Sequence, residues 1–306
     1  MQIVVTGSLA YDRIMSFQGH FADHILPDKL HVLNVCFQVD GITEKFGGTA
    51  GNIAYALTLM GEKPIISAAI GHDYHKYFDW LIQHGIPTDH IRIIEEEFTA
   101  GAYITTDKAD NQITGFNPGA MKHSSKLNFD ALDPAETLLI VSPGNLSDMI
   151  NYPQACKAKG IDYIFDPGQS LPMLEPQDLV QAIEGCRILI CNDYELDLIM
   201  SKTNLRQSDL LTLTNTIIVT LGESGSKIIT TAGQTLICTC KPSQVLDPTG
   251  AGDSYRGGLL SGLIHGLDII ESAKMGSTCA SFAVECYGTQ TYAFTAENFR
   301  SRLKTL

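Results

Sequence analysis

The sequence predicts an α/β protein in which helices cover both faces of a mostly parallel central β-sheet, with a small β-sheet lid attached. Three observations support this three-layer arrangement. Short apolar, β-branched runs alternate with helical patterns along most of the 306 residues. Glycine-rich segments join strand-like runs to helical patterns. Two further β-prone stretches lie outside the alternation. We expect one domain, residues 1–306, that includes the lid.

The alternation begins with the apolar run Gln2–Thr6, which ends at Gly7 and predicts a buried strand. A helix is expected to follow residues 47–52 and to stop near Gly61. Further strands are expected at 64–70, 138–142, 163–166, 188–192 and 217–221, with helices at 74–84, 148–159, 177–184, 193–201 and 206–213. Three short β-like runs, the last at 234–240, then precede long helices that start at Ser254 and Ile269.

The two predicted lid segments lie near residues 13–46 and 98–116. In the first, residues 31–35 and 37–39 are β-prone. In the second, residues 102–106 and 112–114 flank a turn rich in Asp and Asn, which predicts a hairpin. An ordinary surface hairpin would have the same pattern. The single tryptophan, Trp80, lies in a helical pattern with Phe78 and Leu81, and we expect it to pack in the core.

Composition limits the possible partners and setting of the protein. The net charge of −13 argues against a nucleic-acid partner or an anionic membrane surface. No run of 18 apolar residues and no signal-peptide pattern is present, so no membrane partner is expected. The eight cysteines form no C-x-x-C pair, and most lie in apolar runs. We therefore expect a reduced, cytoplasmic protein.

The strongest chemical signal is the stretch 247–258, DPTGAGDSYRGG, between a β-prone run and a helical pattern. Three small residues, Gly250, Ala251 and Gly252, stand where the helix should begin. Backbone N–H groups at a helix N-terminus bind anions, and small residues allow a close approach. A carboxylate there would repel an anionic ligand, so Asp253 is better interpreted as a base. A base beside an anion hole suits phosphoryl transfer to an alcohol.

A second glycine-rich stretch, GGTAGN at 47–52, opens the first predicted helix. Its glycines would let a substrate touch the backbone, and Asn52 can both donate and accept hydrogen bonds. Asp12 follows the first strand, in what we expect to be a loop. Ligands of open α/β sheets bind at the carboxyl ends of strands. Taken alone, however, Asp12 is better interpreted as a turn or cap residue.

Together these two motifs resemble the signatures of the ribokinase-like (PfkB) carbohydrate and nucleoside kinases, and the resemblance covers nearly the whole chain. It implies the ribokinase-like fold with a β-sheet lid, ATP as co-substrate and Mg²⁺. It implies that Asp253 is the catalytic base and that residues 250–252 form the anion hole. It also implies that the sugar is bound by Asp12, Gly47, Gly48 and Asn52.

The resemblance assigns further residues to ATP and metal. Asn192 and Glu195 match an N-x-x-E signature near the phosphates, where Glu195 helps to organise Mg²⁺ through water; as a bare pattern they form a capping box. Thr220, Gly222 and Gly225 match the loop over the nucleotide, beside Asn192 and Gly252. Two further matches, Asp247 and Thr249, lie at positions that help to bind a monovalent cation, K⁺, in some members.

Several strings are similar to the adenosine/nucleoside kinase branch, particularly to archaeal nucleoside kinases: residues 111–114, 165–169, 252–256, 281–285 and 288–291. This implies phosphorylation of the 5′-hydroxyl of a ribonucleoside, with adenosine as the favoured substrate. It also implies that Gln112 of the lid reaches the sugar or base. Arg256 then faces the phosphoryl group or forms an ordinary ion pair. Whether the protein forms a homodimer through the lid is left open by the sequence.

Two alternatives remain at this point. One is a sugar or sugar-phosphate kinase of the same fold, acting on ribose, fructose or fructose 6-phosphate. The other is a non-catalytic nucleotide-binding sensor. The sequence contains no Walker A motif and no G-x-G-x-x-G after the first strand, so neither a P-loop nor a nicotinamide-binding fold is supported.

Overall fold

The computed structural model describes residues 1–32 and 34–306. Its strands are β1 (Gln2–Thr6), β2 (Ala10–Phe17), β3 (Val39–Gly47), β4 (Ile65–Gly71), β5 (Ile91–Ile94), β6 (Ala100–Thr106), β7 (Gln112–Asn117), β8 (Thr137–Val141), β9 (Asp162–Phe165), β10 (Ile188–Asn192), β11 (Ile217–Thr220), β12 (Ser226–Thr230) and β13 (Gly233–Ile237). Its helices are α1 (Thr49–Leu59), α2 (His75–Gln83), α3 (Leu146–Lys159), α4 (Pro176–Ile183), α5 (Asp193–Thr203), α6 (Gln207–Leu213), α7 (Ala251–Ile264), α8 (Ile269–Ala283) and α9 (Ala296–Leu303).

The central sheet has the order β13-β12-β11-β10-β9-β8-β1-β4-β5 within the described residues. Along this sheet, β11, β10, β9, β8, β1, β4 and β5 pair in parallel with their neighbours. At the other edge, β12 and β13 are antiparallel. From β1 the chain proceeds to β4 and β5 on one side, and later to β8 and its neighbours on the other. The crevice between the carboxyl ends of β1 and β8 is therefore a topological switch point, where ligands of such sheets bind.

Helices cover both faces of this sheet, as the alternation of strands and helices predicts. Ile3 and Val5 point to the face covered by α1, α2, α7 and α8, whereas Val4 points to the face covered by α3, α4, α5 and α6. Both clusters consist of buried side chains, and each fully buried Val, Leu, Ile or Phe among them contributes about 1.5–3 kcal/mol. The predicted three-layer α/β class is confirmed.

The lid is a separate four-stranded sheet with the order β3-β2-β6-β7. Its β6–β7 hairpin, which the sequence predicts, turns around Asp107, whose Oδ1 accepts the backbone N–H groups of Ala109 and Asn111. In the rest of the lid the sequence-based predictions were partly wrong. His31 and Val32 belong to the 3₁₀-helix Pro27–Val32 rather than to a strand, and Leu33 lies outside the described residues. The strand expected at 37–39 begins only at Val39.

Other differences concern the ends of elements. Asp12 lies in strand β2 and not in a loop, because the chain turns straight from β1 into the lid. Two strands, not three, follow residue 222 in the described chain, and the run 234–240 is a strand only as far as Ile237. Helix α7 starts at Ala251 rather than Ser254, since Gly250 adopts the capping conformation. The short strand β5 and helix α9 have no counterpart among the elements predicted from the sequence.

None of the described helices is long and apolar enough to cross a membrane. The eight cysteines are free thiols, and most of them are buried, as their apolar surroundings predict.

Candidate active site

A cleft of about 360 Å³ opens beside the carboxyl ends of the central strands, between the core and the first lid strand. Its walls contain residues from distant parts of the chain. They are Asp12, Gly48, Thr49, Asn52, Pro143, Asp166, Gly168, Gln169, Asn192, Glu195, Thr220, Thr249, Gly250, Gly252, Asp253, Arg256 and Thr289. The structure thus brings together most of the candidate residues from the two glycine-rich motifs and the N-x-x-E motif.

The N-terminus of α7 forms one wall of the cleft. Gly250, its N-cap residue, has φ of 79°, a conformation that L side chains rarely adopt. A Cβ atom at this position would also lie 2.7 Å from Cγ2 of Thr289. No side chain of the described residues caps the helix. The backbone N–H of Ala251 donates to the carbonyl of Pro248 at 3.2 Å, which leaves those of Gly252 and Asp253 in the first turn available to an anion.

Asp253 lies in this first turn, with its side chain partly exposed to the cleft. Its Oδ2 accepts a hydrogen bond of 2.7 Å from Nδ2 of Asn52 on α1. Burial of the carboxyl group raises the pKa of Asp253 to about 6, although the positive charge of Arg256 and the Asn52 hydrogen bond act in the opposite direction. A carboxylate with this pKa is ionised at neutral pH and is a stronger base than an exposed one.

Arg256 lies one helical turn after Asp253 and forms a buried ion pair. Its Nε and Nη2 donate to the two carboxylate oxygens of Asp166 at 2.5 and 2.6 Å, and its Nη1 donates to the carbonyl of Gly252 at 2.9 Å. The two side chains are 8% and 2% exposed. The sequence left open whether Arg256 faces the phosphoryl group or forms an ion pair, and this structure contains the ion pair. The pair ties the strand end after β9 to the first turn of α7.

Asp12 reaches the cleft from lid strand β2, where it lies in register with Lys45 of β3. Burial raises the pKa of Asp12, partly offset by Lys45. Gly48 is the N-cap of α1 with φ of 90°, and a Cβ atom there would lie 2.5 Å from the carbonyl oxygen of Ser8. The glycine therefore allows lid and core to meet closely at the cleft.

Asn192 and Glu195 form the capping box that their spacing predicts. Asn192 Oδ1 accepts the backbone N–H of Glu195 at 2.7 Å, and Glu195 Oε2 accepts that of Asn192 at 2.8 Å. Burial raises the pKa of Glu195. Both residues also line the cleft, so capping does not exclude a second role.

Some predicted site residues do not line the cleft. Gly47 ends β3 behind Asp12, and Ala251 lies within the first turn of α7. Gly222 and Gly225 form the turn between β11 and β12, so only Thr220 of that loop reaches the cleft. Gln112 is exposed at the start of β7. Asp247 lies beside the cleft, where its oxygens accept the backbone N–H groups of Thr249 and Gly288.

Asp166, Gln169 and Thr289 line the cleft, although the sequence motifs predict no role for them. Asp166 follows strand β9, and the rule that ligands bind at strand ends would have identified it. Like Asp166, both Gln169 and Thr289 lie in segments, 165–169 and 288–291, that resemble the nucleoside kinase branch. Trp80 is half-buried and packs against Phe46 and Tyr55, as predicted, but its indole N–H also donates to Gln290.

Comparisons with known proteins agree with this geometry. Residues 2–296 match the family model described as pfkB family carbohydrate kinase. The chain is 35% identical over 291 residues to a nucleoside kinase of Methanocaldococcus jannaschii, covering 94% of this chain and 95% of that protein.

Among solved structures, the ligand-free nucleoside kinase of Burkholderia thailandensis superposes with a TM-score of 0.89 at 36% identity, covering 98% of this chain and 99% of that one. The same enzyme in complex with ADP-inosine gives a TM-score of 0.85 at 36% identity, over 99% and 95% of the two chains.

Proposed function

The chain belongs to the pfkB family of carbohydrate kinases, and on that basis we propose that it transfers the γ-phosphoryl group of ATP to the 5′-hydroxyl of a ribonucleoside. Membership makes it a phosphotransferase that acts on a hydroxyl group. One observation carries the proposal: the partly buried carboxylate of Asp253 lies at an uncapped helix N-terminus, in a cleft that also holds Asp12. The ADP-inosine complex of the Burkholderia enzyme supports the nucleoside and ATP classes.

In the proposed reaction, Asp253 takes the proton of the 5′-hydroxyl as the oxygen attacks the γ-phosphorus. A new O–P bond forms, the bond to the bridging oxygen of the β-phosphate breaks, and ADP leaves. A base with a pKa of about 6 suits this step near neutral pH. In the anion hole proposed at Gly250, Ala251 and Gly252, the N–H groups of Gly252 and Asp253 donate to the phosphoryl oxygens, where negative charge develops.

The residues present fit a magnesium ion. Glu195 uses Oε2 for its cap, while Oε1 has no hydrogen-bond partner among the described residues, and its side chain lines the cleft beside Asn192. Mg²⁺ retains several waters and needs few protein carboxylates. When bound, it would neutralise phosphate charge. The ATP-binding set of the proposal is Asn192, Thr220, Gly222, Gly225 and Gly252.

A monovalent cation at Asp247 and Thr249 is supported less well. Each carboxylate oxygen of Asp247 already accepts one backbone N–H, at 2.9 and 3.0 Å. A carboxylate satisfied in this way is a weaker cation ligand than a free one. No step of the proposed reaction therefore involves K⁺.

On the substrate side, Asp12 and Asn52 are proposed to bind the ribose hydroxyls, beside Gly47 and Gly48. A carboxylate suits a diol because it accepts from two hydroxyls at once. Gln112 is proposed to join them when the lid closes and excludes water, which would otherwise compete as acceptor. Adenosine is the favoured nucleoside, and inosine is its main competitor.

Asp12→Ala should raise KM for the nucleoside by roughly 10- to 100-fold with a smaller change in kcat, because buried hydroxyls lose their acceptor. Steady-state kinetics with saturating MgATP measures this. Asp40→Ala, an exposed carboxylate on lid strand β3, is the matched control and should leave KM unchanged. An unaltered KM in the Asp12 variant would make Asp12 structural.

The proposal is tested by ADP release from MgATP with adenosine, inosine, guanosine, cytidine, ribose and fructose 6-phosphate. Turnover with nucleosides alone supports it. Turnover with ribose or fructose 6-phosphate alone would assign a sugar kinase. Tight binding of adenosine without turnover of any acceptor would indicate a sensor.

Two further properties remain predictions. A cytoplasmic location is consistent with eight free cysteines. A homodimer through the lid is consistent with exposed Ile113 and Phe116 on strand β7, and sedimentation velocity would test it.

A further inference from the structure

A continuous chain of hydrogen bonds joins the only tryptophan of the sequence to Asp253. Trp80 Nε1 donates to Gln290 Oε1 at 2.9 Å. Gln290 Nε2 donates to Asn52 Oδ1 at 3.0 Å, and Asn52 Nδ2 donates to Asp253 Oδ2 at 2.7 Å. These hydrogen bonds thus link α2, the segment after α8, α1 and α7.

The indole determines the direction of every bond in this chain. An indole N–H can only donate, so the Gln290 atom that faces Trp80 must be its carbonyl oxygen. The Gln290 amide nitrogen then faces Asn52, whose carbonyl oxygen must accept. Asn52 is left with its N–H donors toward Asp253. A side-chain amide is otherwise free to take either of two orientations.

Tyr77 reinforces this direction. Its hydroxyl donates to the carbonyl of Gly47 at 2.8 Å and accepts from Gln290 Nε2 at 2.9 Å. Gln290 and Tyr77 are 2% and 0% exposed, and Asn52 is 5% exposed. Reversing one amide would oppose donor to donor and acceptor to acceptor in a buried site, where unsatisfied polar groups are costly.

We infer that Gln290, held by Trp80, is a positioning residue that fixes the Asn52 amide with its N–H toward Asp253 and so keeps the carboxylate an acceptor. The inference rests on the proposed role of Asp253 as base. Neither Gln290 nor Trp80 lines the cleft, so both act only through Asn52.

Other charged groups also face Asp253 and are unchanged in the test below. Arg256 on the same helix lowers the pKa of Asp253, and Asp166 beyond it raises that pKa. Glu195 of α5 and Asp12 of β2 line the same cleft. A donated N–H favours the charged carboxylate, so loss of the Asn52 donor raises the pKa of Asp253 above its value of about 6.

The test compares the pH profile of kcat/KM in the unsubstituted protein, in Gln290→Glu and in Trp80→Phe. Gln290→Glu keeps the shape but removes the N–H donor toward Asn52. We expect the acidic limb to move up by about one pH unit, since a hydrogen bond to a charged group is worth at least that much. Trp80→Phe removes the directing donor without adding charge. The acidic limb of this variant should also move to higher pH, but by less than in Gln290→Glu, and turnover should recover at high pH.

Gln181→Glu, an exposed site on α4, is the control for added charge and should leave the profile unchanged. Thermal unfolding checks that each variant folds, and Trp80→Phe retains an aromatic ring against Phe46. An acidic limb that stays at the wild-type pH in both variants would overturn the inference. That outcome differs from failure of the proposed base, which would appear as normal turnover in Asp253→Asn.

Discussion

Asp253→Asn should lower kcat by about 10²- to 10⁴-fold while the Kd values for nucleoside and ATP change little. The asparagine keeps the shape and the hydrogen bond from Asn52, but it cannot take the hydroxyl proton. Single-turnover kinetics with MgATP measures the chemical step, and calorimetric titration measures binding. Asp193→Asn, an exposed carboxylate in the first turn of α5, is the matched control and should keep full turnover.

The same variant should be at least as stable as the parent protein. The pKa of Asp253 is raised from 3.8 to about 6 in the folded state, so the folded protein favours the protonated form. Stability from that proton is present below pH 4 and is lost as pH rises to about 6. At pH 7 the ionised carboxylate therefore costs about 1–3 kcal/mol, which a neutral asparagine removes. Normal turnover in Asp253→Asn would exclude the proposed base.

The second large effect concerns stability at the buried ion pair. Arg256→Met should lower the free energy of unfolding by about 3–5 kcal/mol, because it leaves the Asp166 carboxylate buried without its partner. Urea denaturation monitored by Trp80 fluorescence measures this. Both N–H contacts to Asp166 and the contact to Gly252 are lost together.

A double variant separates the charge from the packing. Arg256→Met combined with Asp166→Leu should recover most of the lost stability, since an apolar pair of similar volume often replaces a buried ion pair at little cost. Arg187→Met, an exposed arginine paired with Asp162, is the control and should change stability by less than about 1 kcal/mol. A single Arg256 variant as stable as the parent would contradict the account.

Much of the fold follows from local sequence patterns. β1, α1 and α7 are specified by short apolar runs and by glycines that permit positive φ at Gly48 and Gly250. The lid was harder to predict. Its first strand, β2, holds Asp12 and pairs with β3 and β6. Such a strand is stabilised by segments distant in the chain, so its own sequence shows little of the alternating pattern that would predict a strand.

The site was predictable where one motif carries the chemistry and not where partners come from distant segments. Asp253 and the open amides beside it are contained within the stretch 247–258. Asp166 and Arg256 are 90 residues apart, and Asn52 and Gln290 are 238 apart. Nothing in one sequence indicates which carboxylate meets which guanidinium, or which way an amide faces. These contacts are set by the packing of complete elements.

The most direct test of the central claim is the position of the transferred phosphate. Phosphorus NMR of the product from MgATP and the best nucleoside should show a nucleoside 5′-monophosphate, formed in equal amount with ADP. The phosphorus signal should be split by the two protons of the 5′-carbon. Release of ADP with inorganic phosphate alone, or a phosphate on another hydroxyl, would contradict the account.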